Sequence, residues 1–256
     1  MAKQKSQPRW LNFGSEETYF DHTHRPLQCL IFISPLLLIY QIGISIHPWT
    51  PRADHLPNVI AFELILQFFA LFGAVGVYLP LMCVVAILLG WHISRRDPWR
   101  IEPGLYFGMA GESFLWAIPM LLMAALVARG APLSEHSGGL HELSWQTRAV
   151  LSIGAGVYEE LLFRLMLITF LNILLVDIFR LSLGKAIPLI LIISAVLFSL
   201  YHYLGDEQFT WPTFIFRTVA GLYFAGLFIF RGFGIDVAAH SIYDLMVVAL
   251  QTAAGG

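Results

Sequence analysis

GAGVYEELLFRLML, residues 154–167, lies in the middle of an apolar run that extends from Trp145 to Ile178. A helix that crosses a bilayer needs about 20 mainly apolar residues. This run is long enough to cross and still carries Glu159, Glu160 and Arg164 near its centre. Ionisable side chains at membrane depth are costly, so they face a protein interior and are functional candidates by default. The stretch therefore predicts a membrane helix with charge in its buried face.

Working outward, six further segments have the same character: Pro26–Ile46, Val59–Ile93, Leu105–Val127, Ala186–Leu204, Thr213–Phe230 and Ile235–Leu250. The chain of 256 residues is 57% hydrophobic and only 12% charged, against roughly 25% charge in soluble domains. The expectation is an all-α polytopic bundle of seven spans. It becomes eight if Gly73, Gly76 and Pro80 break the long second segment. Residues 1–25 form a polar arm and 26–256 a single membrane domain, with the chemistry concentrated at about 145–250. The arm does not fit a cleaved secretory signal, whose apolar core follows its basic start closely, and neither end carries a lipidation motif.

Basic residues fall in every second connection. Lys3, Lys5, Arg9 and Arg25 precede the first span; Arg95, Arg96 and Arg100 follow the second; Arg180 and Lys185 follow the fourth; Arg231 follows the sixth. The alternate connections hold Arg52 with Asp54, then Glu135 and Glu142, then Asp206 and Glu207. The positive-inside rule then places the N-terminus in the cytoplasm and the C-terminus outside. A multi-pass integral membrane protein is expected, in the inner membrane if the host is bacterial. A net charge of −2 with no basic patch argues against nucleic-acid binding. Cys29 and Cys83 lie in apolar runs and read as packing residues. The connection 128–144, with His136 and His141, reads as a polar loop rather than a metal site. Small residues such as Gly154, Gly156, Gly221 and Ala225 permit close helix contact.

Three spacings carry chemistry. Glu160 and Arg164 are four apart and share a helix face, so they can pair. Glu159 points about 100° away, as helical geometry requires, and lacks that partner; a carboxylate so placed can take a proton from water, which is general-base work. In the fifth segment Phe198 and His202 are four apart. In the seventh, His240 and Asp244 repeat that interval, so Asp244 can orient the imidazole or share a ligand with it. Arg217 and Glu63 sit closer to span ends and can snorkel to the interface.

In order and spacing, EExxxR (Glu159, Glu160, Arg164), FxxxH (Phe198, His202) and a final HxxxD (His240, Asp244) resemble the CPBP family of CAAX proteases and bacteriocin-processing enzymes. The resemblance covers about 85 residues, since the first 140 match only as hydrophobic spans. It implies an intramembrane glutamic-type endopeptidase without a cofactor, acting on membrane-anchored or lipidated polypeptides near their C-termini. Glu159, helped by His202, would activate water; His240 and residue 244 would stabilise the oxyanion; Glu160, Arg164 and Phe198 would support them. The family pattern has Asn where this chain has Asp244. An ionised Asp only accepts hydrogen bonds, so Asp244 must be protonated, orient His240 instead, or ligate something.

Other readings stay open at this stage. Glu159, His202, His240 and Asp244 are donors suited to Zn²⁺ or Fe²⁺, which would make a metallopeptidase, although the spacing is not HExxH. Intramembrane Glu, Asp and His also form proton relays in transporters, and an immunity or binding protein of the same family is a third alternative. Straight spans would moreover leave His202 and His240 roughly 15 Å apart in depth, so a shared site requires tilt or a short helix.

Overall fold

In the computed structural model, residues 18–46, 59–130, 143–205 and 207–254 are described. The basic arm Lys3, Lys5 and Arg9, the loop residues Arg52, Asp54, Glu135, His136, His141 and Glu142, and Asp206 lie outside them. The described residues are helical, with no strand among them.

A five-residue helix, α1 (Tyr19–Thr23), precedes α2 (Pro26–Ile46). The second apolar segment is two helices, α3 (Ile60–Ala70) and α4 (Leu79–Arg95). The break falls where the glycines are: Gly73 takes φ +76°, a conformation that an L side chain resists. With 11 residues α3 is too short for a span, and α4, with 17, sits at the lower limit of one. The long helices follow: α5 (Pro103–Gly130), α6 (Trp145–Ile178), α7 (Leu183–Tyr201), α8 (Trp211–Arg231) and α9 (Phe233–Ala254). Six helices are long and apolar enough to cross a membrane, and their outer faces carry the exposed Leu, Ile and Phe that lipid would cover.

The core is a layered contact of α2, α6 and α9. Gly156 of α6 lies against Ser241 of α9 so closely that a Cβ would collide with the serine backbone and hydroxyl, which is the small-residue approach by which membrane helices pack. Beside it Tyr40, Phe62 and Tyr158 from α2, α3 and α6 form an edge-to-face triad with centroids 5.1–5.5 Å apart. This aromatic wall fixes the position of α6 one residue before Glu159. Gly232, at φ +83°, is the only residue between α8 and α9. That sharp reversal sets the two helices side by side and stacks His240 on Phe224, ring centroids 4.5 Å apart.

Helix α6 changes its winding at the site. It is α-helical over Trp145–Glu160, π-helical over Leu161–Ile168, and π-helical again over Ile173–Ile178. π turns are rare and recur at functional sites. Here the first begins directly after the glutamate pair, and the Phe163 carbonyl receives the Ser194 hydroxyl of α7 at 3.0 Å.

Candidate active site

Helices α6, α7 and α9 bring the three motifs to one place. Glu160 is fully buried and acts as a hub: its Oε2 lies 2.8 Å from Arg164 Nε, and its Oε1 lies 2.7 Å from His240 Nδ1. The expected Glu160–Arg164 pair is therefore present, and the hub also takes a histidine that the sequence did not assign to it. Because a carboxylate can only accept, Nδ1 of His240 carries hydrogen and donates to it. Nε2 of the same ring is 3.5 Å from Asp244 Oδ2 and 4.0 Å from Glu159 Oε2.

His202 is held differently. Its Nδ1 donates to the Phe198 carbonyl at 2.8 Å. A carbonyl cannot donate, so Nδ1 carries the hydrogen and Nε2 of a neutral His202 presents a lone pair; it faces Glu159 Oε2 at 4.0 Å. One carboxylate oxygen thus lies 4.0 Å from both imidazoles. The depth mismatch expected from straight spans does not arise. His202 falls past the last α-helical residue of α7, in a 3₁₀ turn over His202–Leu204, and its ring folds back along the helix towards Phe198 while Glu159 fills the space to His240.

Phe198 has a visible task. Its ring lies 4.3 Å below the Arg164 guanidinium and 5.0 Å from the His202 ring. The buried cation is thus paired on one side and placed over a π face on the other, an attraction of about 2 kcal/mol when desolvated. Nη1 and Nη2 of Arg164 have no hydrogen-bond partner among the described residues.

Two neighbours were not singled out from the sequence. The Tyr201 hydroxyl donates to Glu159 Oε1 at 3.1 Å and receives the Ala61 amide at 2.8 Å, tying α3 to the site. Asp236 is fully buried one helical turn before His240, against Glu160. A signal for it existed: Asp236, His240 and Asp244 continue one face at intervals of four. Tyr201 had none, because its importance comes from a helix 140 residues earlier. Arg217, by contrast, forms a two-pronged pair with Glu207, both contacts 2.7 Å.

No group of three or more His, Cys, Asp or Glu among the described residues is arranged to hold a metal ion. An apolar cavity of about 600 Å³ adjoins the site, lined by Leu64, Leu162, Met166, Leu197, Leu200 and Tyr201 among others.

The fold and the buried charge cluster define an integral membrane protein with a polar site enclosed by helices. Residues 142–246, which contain all three motifs, match the family model of Rce1-like type II CAAX prenyl endopeptidases. That family model belongs to the CPBP family of membrane proteases, and the matched stretch lies in helices long and apolar enough to cross a membrane. Comparison with curated proteins and with solved structures gave no match for the chain.

Proposed function

We propose that the protein is a glutamic-type intramembrane endopeptidase. It hydrolyses membrane-anchored or lipidated polypeptides near their C-termini, with water activated by Glu159. The observation that carries this reading is the position of Glu159 Oε2, 4.0 Å from each of two imidazole nitrogens. That spacing is too long for a direct hydrogen bond and suits one water between the groups.

Water held there would give a proton to Glu159, assisted by the Nε2 lone pair of His202. Its oxygen would attack the peptide carbonyl carbon, and the carbonyl electron pair would move to oxygen. His240, doubly protonated beside the Glu160 and Asp244 carboxyl groups, would meet the oxyanion with its Nε2–H, a contribution usually worth several kcal/mol. Glu159 would then return the proton to the departing amine as the C–N bond breaks. Asp244, beside Nε2 of His240, orients that ring; this is the role that fits an acidic residue in place of the family Asn. Tyr201 holds Glu159 and also lines the apolar cavity, so a lipid chain or apolar side chain of the substrate would sit next to the scissile bond. The orientation that fits the basic connections puts the N-terminus in the cytoplasm.

The test is cleavage in proteoliposomes. Purified protein is mixed with a membrane-anchored peptide carrying a lipidated cysteine near its C-terminus, and products are weighed by mass spectrometry. A single internal cut releasing a short C-terminal fragment is expected, lost in His202→Ala. Intact peptide throughout, or equal products from wild type and variant, would refute the assignment.

A further inference from the structure

Asp236 has an environment that packing alone does not explain. It is fully buried and neither carboxyl oxygen has a conventional donor among the described residues. A buried polar group without a partner costs several kcal/mol, and an apolar residue of the same volume would fill the space without that cost. The group that meets it is the carboxyl of Glu160, which is itself an acceptor. Two carboxyl groups can bond to each other only when one proton lies between them. Charge counting agrees: Glu160 already faces Arg164, and a second full negative charge beside it would be a buried charge without a counter-ion.

We propose that Asp236 is a positioning residue, whose carboxyl donates a hydrogen bond to Glu160 and thereby keeps Glu160 Oε1 as the acceptor for His240 Nδ1–H. The chain of contacts runs Asp236, Glu160, His240, ending at the imidazole nitrogen that faces Glu159 and Asp244. Asp236 and His240 stand one turn apart on α9, while Glu160 reaches across from α6, so the network also fixes the rotation of α9 about the Gly156–Ser241 contact. The inference rests on the peptidase reading only for its consequence on turnover; the effect on the His240 ring is independent of it. This is the outer-partner logic by which a second residue fixes a histidine's tautomer and aim.

The experiment compares Asp236→Asn, Asp236→Ala and Asp236→Leu by two readouts. The first is the ring-nitrogen NMR spectrum of ¹⁵N-histidine-labelled protein in micelles, with His240 assigned from its loss in His240→Gln. Asp236→Asn keeps a donor and should leave the His240 Nδ1 signal in place, whereas Ala and Leu should move it. The second readout is proteolysis: kcat should fall about 10–100-fold in the Ala and Leu variants, the usual cost of losing an outer partner, with KM unchanged and activity largely retained in Asp236→Asn. Leu keeps the branched outline of Asp without its oxygens, so it preserves the comparison should Ala unfold. An unmoved His240 signal in both donor-less variants would overturn the proposal, as would Asp236→Asn behaving like Ala. Absence of proteolysis by the wild type, with the NMR pattern as expected, would instead count against the peptidase reading alone.

Discussion

Two of the Glu–Arg pairs among the described residues, Glu112–Arg231 and Glu160–Arg164, have different surroundings. Glu112 of α5 meets Arg231, at the end of α8, through both Nε and Nη2. Its oxygens also accept from the Tyr19 hydroxyl at 2.9 Å and the Trp116 indole at 3.0 Å, and Arg231 stacks 4.0 Å over Phe20. One anion meets one cation, with neutral donors and an aromatic face around them. Glu160 and Arg164 sit instead among three further carboxyl groups, Glu159, Asp236 and Asp244, and two imidazoles. A satisfied pair holds α1, α5 and α8 together; a cluster with surplus carboxyl groups is the arrangement that the proposed proton transfer at Glu159 requires. The contrast separates scaffold from chemistry without reference to any motif.

The comparison can be broken most sharply at Glu159. Glu159→Gln keeps the shape and the Tyr201 contact but removes the base, so kcat should fall about 10²–10⁴-fold with the melting temperature in detergent unchanged. Arg164→Met should act on stability as well as turnover. It leaves Glu160 buried without its cation, a loss of about 3–5 kcal/mol, read as a lower midpoint in denaturant. Glu112→Gln should show the opposite division from Glu159→Gln. Stability falls by about 3 kcal/mol, the low end of the cost of unpairing a buried cation, since Glu112 is one-fifth exposed. The kcat of molecules that remain folded should stay near that of wild type.

Much of this site was legible in the sequence, for a physical reason. Charges in apolar runs have few explanations, and spacings of four project to one helix face. Glu159, Glu160, Arg164, Phe198, His202, His240 and Asp244 follow from that rule. What was not legible depends on contacts between distant elements. Straight helices of uniform rise put His202 and His240 at different depths, whereas a 3₁₀ turn and a ring folded onto Phe198 bring them together. The π winding of α6 has no composition signature. The Glu112–Arg231 pair joins residues 119 positions apart, and Arg231 taken alone reads only as a topology charge.

The smallest effect concerns α1, which closes over the scaffold pair. Asp21 accepts from the Thr18 amide at 2.8 Å and from its hydroxyl at 2.7 Å, a helix-start contact. Both bonds favour the charged form, so Thr18 holds the Asp21 carboxyl below the usual carboxylate range. With the folded pKa lowered, the stabilisation is present above that range and lost as pH falls through the folded value. Amide protection factors in α1, taken relative to the intrinsic exchange rate at each pH, should fall on acidification in wild type and lose that dependence in Asp21→Asn, with proteolysis unaffected.

In the proposed reaction Glu159 activates water for direct attack on the peptide carbonyl. A single turnover in H₂¹⁸O, with wild type and Glu159→Gln in parallel, tests it most directly. The newly formed C-terminal carboxylate should carry one ¹⁸O, Glu159 should carry none, and the variant should give no product on the same timescale. Label in the Glu159 side chain, or cleavage by Glu159→Gln at the wild-type rate, would contradict the account.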